Sequence, residues 1–395
     1  MYTFKDLGIK KEFVDCLKKS GIHTPTPIQD MSIEGIIQQK DVIAEAPTGT
    51  GKTLAFLLPM MNSMVSNNNG IQGLIISPTR ELAIQISEEA QKINCNKINI
   101  LTVYGGKEYS KQLKDSKNSV DLIIATPGRL VDFIDQGLIK LNTLKTLVLD
   151  EVDQILLMGF QKEVEVILKN SNKKRQTLCY SATLNTQVKK IAYKITKDPL
   201  VIKIEDKDKN DKMKKYLVET TDRWKIDALA TILNDTNPFM AIIFCRTKAR
   251  VDRIEAKLEE RGYNVQKLHS DIPQIKREKI INSFKKAEIQ YLVATDVASR
   301  GLDITGVTHI FNLDIPDKAD TYIHRIGRTA RAGEKGATYL FVDPKDKRVL
   351  SEIETLLGKP LEKVEYDRSR DVININDPLK KKYNKKIKTR SDERK

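Results

Sequence analysis

Ala46-Pro47-Thr48-Gly49-Thr50-Gly51-Lys52-Thr53 follows the apolar run Asp41-Val42-Ile43-Ala44 and leads into Lys52-Thr53-Leu54-Ala55-Phe56-Leu57-Leu58. A glycine-bearing turn between a strand and a helix is the setting a phosphate-binding loop requires. Gly49 and Gly51 allow the backbone to curl with its N–H groups inward, and the helix N-terminus adds partial positive charge. In such a loop Lys52 reaches the β- and γ-phosphates, and the Thr53 hydroxyl holds Mg2+. Residues Ala46 to Thr53 are therefore the candidate nucleotide site.

Around this loop the text alternates short β-branched runs with helical segments. The strand candidates are Asp41–Glu45, Gly73–Ser77, Asn99–Val103, Val120–Ala125, Thr146–Leu149, Thr177–Tyr180 and Leu200–Ile204. Apolar runs without polar alternation suit strands buried on both faces, as in a parallel sheet covered by helices. The pattern predicts a doubly wound α/β domain with its ligand-binding loops at the strand carboxyl ends. Residues 205–215 contain one apolar residue, Met213, and are expected to form a solvated linker. The rhythm then resumes with Tyr216–Thr220, Ala241–Cys245, Val265–His269, Gln290–Thr295, His309–Leu313 and Ala337–Val342, but without a second phosphate loop. The expected organisation is a leading segment over 1–30, a first domain over 31–204, the linker, a second domain over 216–365 and a basic tail over 366–395.

At 395 residues the chain suits two domains. Lys and Arg outnumber Asp and Glu by 68 to 53, a net +15 with pI near 9.3. That balance favours a polyanionic partner, most simply nucleic acid. Lys is abundant throughout, so charge only supports this reading. No apolar stretch of membrane-spanning length and no secretory signal is present, which makes cytoplasm the expected compartment. Cys16, Cys95, Cys179 and Cys245 lie far apart with no paired spacing, which argues against a metal site or a disulfide. No accessory module is expected after the second domain, and the basic run Leu379–Lys395 is expected to be disordered and a candidate nucleic-acid contact.

Thr146-Leu147-Val148-Leu149-Asp150-Glu151-Val152-Asp153 is an apolar strand that ends in adjacent carboxylates. Asp150 is placed to hold the Mg2+ of a bound triphosphate, and Glu151 to polarise the attacking water. Tyr322-Ile323-His324-Arg325-Ile326-Gly327-Arg328-Thr329-Ala330-Arg331 carries three arginines spaced by three with no acid inside the segment. Such guanidinium density usually faces an anion, and one or two of these groups could stabilise a transferring phosphoryl group. The competing reading is a structural ion-pair network with Asp317 or Asp320.

Taken together, these motifs resemble the DEAD-box RNA helicases of superfamily two, from Phe4 to about Pro360. The resemblance implies two tandem RecA-like domains, ATP and Mg2+ as cofactors, and RNA as partner. Gly21-Ile22-His23-Thr24-Pro25-Thr26-Pro27-Ile28-Gln29 resembles the family's Q motif, which assigns Gln29 to the adenine edge and Phe4 to stacking on the base. Pro78-Thr79-Arg80, Gly105-Gly106 and Thr126-Pro127-Gly128-Arg129 resemble RNA-contacting loops of the first domain. Arg246-Thr247, Gln274 with Arg277, and Thr295 resemble those of the second. Such loops grip phosphate and ribose without reading bases. By the same likeness Asp303 meets the ATP ribose, and Arg328 and Arg331 meet the γ-phosphate. Ser181-Ala182-Thr183 links ATP state to RNA through Asp153, and His324 relays between motifs. Two departures stand out: Val152 replaces the name-giving alanine, and Ala330 replaces a frequent glycine. The implied activity is RNA-stimulated ATP hydrolysis with local, non-processive separation of short duplexes or RNA–protein remodelling. The alternative is an ATP-gated RNA clamp. A monomer is expected, and a compact chain of this kind resembles bacterial members that work on ribosome assembly or RNA decay.

Overall fold

The structure, a computed structural model, describes residues 2–66, 70–105, 120–204, 213–299, 304, 306–329 and 336–366. The chain divides between residues 206 and 207 into two compact units. The expected basic tail, and with it Leu379–Lys395, lies outside the described residues.

The first unit is built on a seven-stranded sheet of β1 (Val42–Glu45), β2 (Gly73–Ile76), β3 (Ile100–Val103), β4 (Leu122–Ala125), β5 (Thr146–Leu149), β6 (Gln176–Ser181) and β7 (Leu200–Lys203), in the order β3-β4-β2-β5-β6-β1-β7. Every pairing is parallel. The runs are apolar throughout because both faces are covered. Val42 and Ala44 enter one core cluster with Leu122, Ile124 and Val148, while Ile43 enters the opposite one with Ile123, Ala125, Leu147 and Leu149. Successive side chains alternate faces, so each residue of a run is buried on one side or the other.

The second unit repeats the plan with β8 (Met213–Glu219), β9 (Ala241–Phe244), β10 (Val265–Leu268), β11 (Tyr291–Ala294), β12 (His309–Asn312), β13 (Gly336–Val342) and β14 (Glu362–Lys363). Its order is β10-β11-β9-β12-β13-β8-β14, again all parallel. Counted from each unit's own first strand, the two orders are the same. Fold class and strand positions thus agree with the sequence. β8, however, starts at Met213, so Met213, Lys214 and Lys215 belong to the sheet and not to the linker; their burial alternates, with Lys215 laying its stem against the sheet. β14 escaped notice because it is two charged residues long.

The expectation that no disulfide forms is overturned at one pair of cysteines. Cys179 and Cys245 are buried thiols, and burial raises both above the usual thiol range. Cys16 and Cys95, separated by 79 residues, are joined by a disulfide. The contact that brings them together is tertiary, and sequence spacing carries no trace of it. Among the described residues no helix is long and apolar enough to cross a membrane.

Phe311 is fully buried on β12, and its ring stacks on Tyr339 at 5.2 Å. Truncation of a buried aromatic of this kind costs about 3–5 kcal/mol. Phe311→Ala should lower the urea midpoint of the second unit accordingly. The single tryptophan, Trp224, lies in that unit and reports its transition by fluorescence.

Candidate functional site

At the end of β1 the loop 46–51 turns into the helix Lys52–Asn62, with Gly49 at φ 81° and Gly51 at φ 93°. Gly51 is the N-cap in the left-handed region, where a side chain is strained. A Cβ there would also stand 2.5 Å from Gln29 Nε2. Gln29 is 2% exposed and tied at both ends: its Nε2 donates to Gly51 O at 3.1 Å, and its Oε1 accepts from Thr26 N–H at 3.0 Å. The Q-type segment is thereby fastened onto the phosphate loop. Lys52 is buried, and its ammonium donates to Ala46 O at 2.5 Å and to Pro47 O at 3.2 Å. Thr50 Oγ1 also donates to Pro47 O at 2.8 Å. Ala46 N–H donates to Ser181 O at 3.0 Å, which joins the loop to the end of β6. Thr48 and Thr53 are half-buried on the loop and the helix start.

Three carboxylates gather where β5 ends. Asp150 and Glu151 are buried, and the Asp150 carboxyl is pushed up to about 7, first by burial and then by the neighbouring Glu151 charge. Glu151 sits at φ 51°, an uncommon conformation for a non-glycine residue. Its Oε2 is buried without a hydrogen-bond partner. Asp153 is engaged differently: its Oδ2 accepts from both the N–H and the hydroxyl of Thr183, each at 3.0 Å. Asp153 N–H donates to Ser181 Oγ at 3.4 Å, and Ser181 Oγ donates to Thr183 O at 2.8 Å, so Asp153 couples β5 and β6 at their carboxyl ends. Val152 is 2% exposed and packs into the apolar cluster with Leu149 and Ile155, where its extra methyl groups are accommodated.

This donor set suits a magnesium triphosphate. A carboxyl whose charged form is disfavoured by burial and an unpartnered carboxylate oxygen both gain from a divalent cation. Mg2+ is ordinarily held by one or two carboxylates plus phosphate oxygens, and no protein cage is needed. Among the described residues no three His, Cys, Asp or Glu side chains form one.

The other candidates of the first unit follow β2, β3 and β4, at the same carboxyl edge. Thr79 caps the helix Arg80–Lys92 by accepting from Leu82 N–H at 3.3 Å, immediately after Pro78. The Arg80 guanidinium lies against Gly105, where a Cβ would meet Nη2 at 2.7 Å. Thr126 precedes the helix Pro127–Asp135, which begins with Pro127 and Gly128. Arg129 stacks 4.6 Å from the Phe133 ring centroid. Phe4 is placed otherwise than expected. It is 1% exposed inside the core with Leu7, Ile9 and Phe13, which leaves no exposed face for a base. Gly106 lies outside the described residues.

In the second unit Thr247 caps the helix Lys248–Glu260 and accepts from Arg250 N–H at 3.2 Å. The Arg246 side chain donates to Ile315 O at 3.0 Å and pairs with Asp317 at 3.3 Å. Gln274 donates to Glu278 at 3.1 Å, and Arg277 to Ala298 O at 3.4 Å. Thr295 is buried at the end of β11. His324 and Arg328 are buried on or just after the helix Ala319–Ile326; Asp303 and Arg331 fall outside the described residues. Arg325 separates from its two partners in the arginine triplet. It is 2% exposed and grips Asp296 with Nε at 2.5 Å and Nη2 at 2.8 Å. The ion-pair alternative therefore holds for Arg325, with Asp296 as the acid. The sequence clue was an aspartate directly after Thr295.

A family model described as DEAD/DEAH box helicase matches residues 26–191, and one described as helicase conserved C-terminal domain matches residues 224–333. The ATP-dependent RNA helicase CshA of Limosilactobacillus reuteri is 44% identical over 355 residues, 89% of this chain and 71% of that protein. The DEAD-box ATP-dependent RNA helicase CshA of Geobacillus kaustophilus is 41% identical over 366 residues, covering 92% and 78%. Among solved structures, S. cerevisiae Dbp5 bound to RNA and ADP BeF3 aligns with TM-score 0.85 at 28% identity, over 98% of this chain and 99% of that one.

The Asp150 carboxyl sets a pH dependence. In the unfolded chain it titrates near the ordinary value of about 4. In the folded chain it titrates at about 7. Between those values the folded state binds the extra proton, so rising pH removes stability from the nucleotide-free protein. Asp150→Asn abolishes that loss. Its gain in melting temperature over the parent should be larger at pH 8 than at pH 5, as thermal denaturation would show; an equal gain at both would contradict the assignment.

Proposed function

The chain belongs to the DEAD/DEAH box helicase family and is an ATP-dependent RNA helicase, and from that premise we propose that it opens short RNA duplexes locally, without processive travel, or remodels RNA–protein contacts. The observation that carries the reading is the pairing of Lys52 on a phosphate loop with buried Asp150 and Glu151 at the end of β5.

In the proposed cycle Lys52 exchanges the carbonyls of Ala46 and Pro47 for the β- and γ-phosphates of ATP, while residues 46–51 offer their backbone N–H groups. Thr53 and Asp150 would hold Mg2+, which when bound neutralises phosphate charge. Glu151 orients the attacking water and takes its proton, a role that suits a carboxylate oxygen with no protein partner. Arg328 and Arg331 supply positive charge to the transferring phosphoryl group. Asp303 contacts the ribose, and Gln29 offers its remaining amide capacity to the adenine edge.

RNA is gripped by Pro78, Thr79, Arg80, Gly105, Gly106, Thr126, Pro127, Gly128 and Arg129 on one domain. Arg246, Thr247, Gln274, Arg277 and Thr295 serve on the other. These are hydroxyls, backbone groups and guanidiniums, which bind phosphate and 2′-OH with little regard to sequence. Asp153, through Ser181 and Thr183, and His324 pass the state of one site to the other. ATP and one RNA strand would then jointly draw the domains together, and bending that strand would shed its complement. The protein is proposed to act as a cytoplasmic monomer, with ribosomal or RNA-decay assemblies as the partners to test first.

Lys52→Ala and Glu151→Gln should each lower RNA-stimulated ATP turnover by about a hundredfold or more. Wild-type-like turnover in either variant would overturn the site. A native gel with a short duplex and ATP should show released strand. ATP-dependent retention of both strands would favour the clamp reading.

A further inference from the structure

The two sheets share one strand order, and their loop positions can be matched by the hydrogen bonds that close each ladder. Ser77 N–H donates to Ala125 O, and Cys245 N–H to Ala294 O, both at 3.0 Å. Thr126 N–H donates to Val103 O at 3.0 Å, and Thr295 N–H to Leu268 O at 3.3 Å. Asp150 N–H donates to Ile76 O at 2.9 Å, and Asp314 N–H to Phe244 O at 3.2 Å. Each acceptor is the last residue of its strand. Lys52 and Lys225 complete the set, since each is the buried first residue of the helix that follows the first strand of its unit. Lys225 thus stands in the second unit where the phosphate lysine stands in the first, while Asp314 follows its strand one residue later than Asp150 does, since Asn312 pairs with Phe244 as Leu149 pairs with Ile76.

Their chemistry is different. Lys225 Nζ meets Asp314 Oδ1 at 3.5 Å, and Arg250 Nε meets Asp314 Oδ2 at 3.0 Å. Arg250 also holds Asp222, at 3.2 and 2.7 Å. The two cations and two carboxylates of this cluster offset one another inside the second unit. Asp314 in turn holds two functional segments. Its Oδ2 accepts from Arg246 N–H at 3.0 Å, and its carbonyl accepts from Arg325 Nη1 at 2.8 Å. Arg325 reaches on to Asn312 at 3.2 Å and to Asp296, the neighbour of Thr295.

We propose that Lys225 and Asp314 form a positioning pair that fixes Arg246 and Thr295 relative to the arginine helix. The proposal rests on the functional reading above. It explains how RNA contacts and Arg328, three residues after Arg325, share one rigid frame.

The experiment measures RNA-stimulated ATP hydrolysis of the full chain against RNA concentration, together with fluorescent ADP binding without RNA. Asp314→Asn should lower kcat by about tenfold or more and raise the RNA concentration for half-maximal stimulation by about fivefold, because small misplacements of catalytic groups are costly. ADP affinity, which rests chiefly on the phosphate loop and Gln29, should stay within about twofold. Lys225→Met should follow Asp314→Asn, whereas Lys225→Arg keeps the cation and should remain near the parent. A folded Asp314→Asn with unchanged kcat and RNA half-saturation would overturn the proposal. If that variant does not fold, identical behaviour of Lys225→Met and Lys225→Arg would overturn it instead. A parent protein whose ATP hydrolysis ignores RNA would sink the underlying functional reading, a distinct result.

Discussion

A charge removed from water must be met by an opposite charge, by hydrogen bonds or by a proton. That requirement falls hardest where the strands of each sheet end, because both units bury a lysine and a carboxylate there. In the first unit the compensation is partial. Asp150 is held near 7 beside Glu151, Glu151 Oε2 has no hydrogen-bond partner, and the Lys52 ammonium turns back on carbonyls of its own loop. A triphosphate bound with a divalent cation would bring a cation to the carboxylates and phosphate oxygens to the lysine. In the second unit Lys225 and Arg250 both pair with Asp314.

One architecture therefore serves two ends. Equal strand orders and equal ladder-closing bonds put a helix-capping threonine after β2 and again after β9, and a further threonine after β4 and after β11. Those loops offer hydroxyls and backbone groups in both units, the chemistry of sequence-tolerant strand binding. What differs is the central carboxylate: Asp150 is pushed up by burial beside Glu151, whereas Asp314 is ion-paired with Lys225 and Arg250. Asp153 and Asp314 play parallel parts as well. Asp153 ties β5 to the Ser181–Thr183 turn, and Asp314 ties β12 to the Arg246 turn and to Arg325.

Much of this was legible in the residues. Buried parallel strands announce themselves as apolar runs, and the observed strands fall within one or two residues of those runs in most cases. The phosphate loop was legible because it needs two glycines, a lysine and a threonine at fixed spacing. What the sequence hid was tertiary. Arg325 looked like a third anion-binding arginine, and only packing against Asp296 reveals it as structural. Gln29 could be singled out, but not its double anchorage to Gly51 and Thr26. Phe4 matched a motif position and yet lies in the core. Lys215 looked like linker because its charge suggests exposure, yet it is buried on β8 with its ammonium donating to Met213 O. Cys16 and Cys95 meet only through the fold, as do Lys225 and Asp314.

If unequal compensation of buried charge decides where nucleotide goes, then binding stoichiometry tests the account most directly. Equilibrium dialysis with a slowly hydrolysed ATP analogue and Mg2+ should give one nucleotide per chain, and none for Lys52→Ala. Two nucleotides per chain, or one that survives in Lys52→Ala, would contradict it.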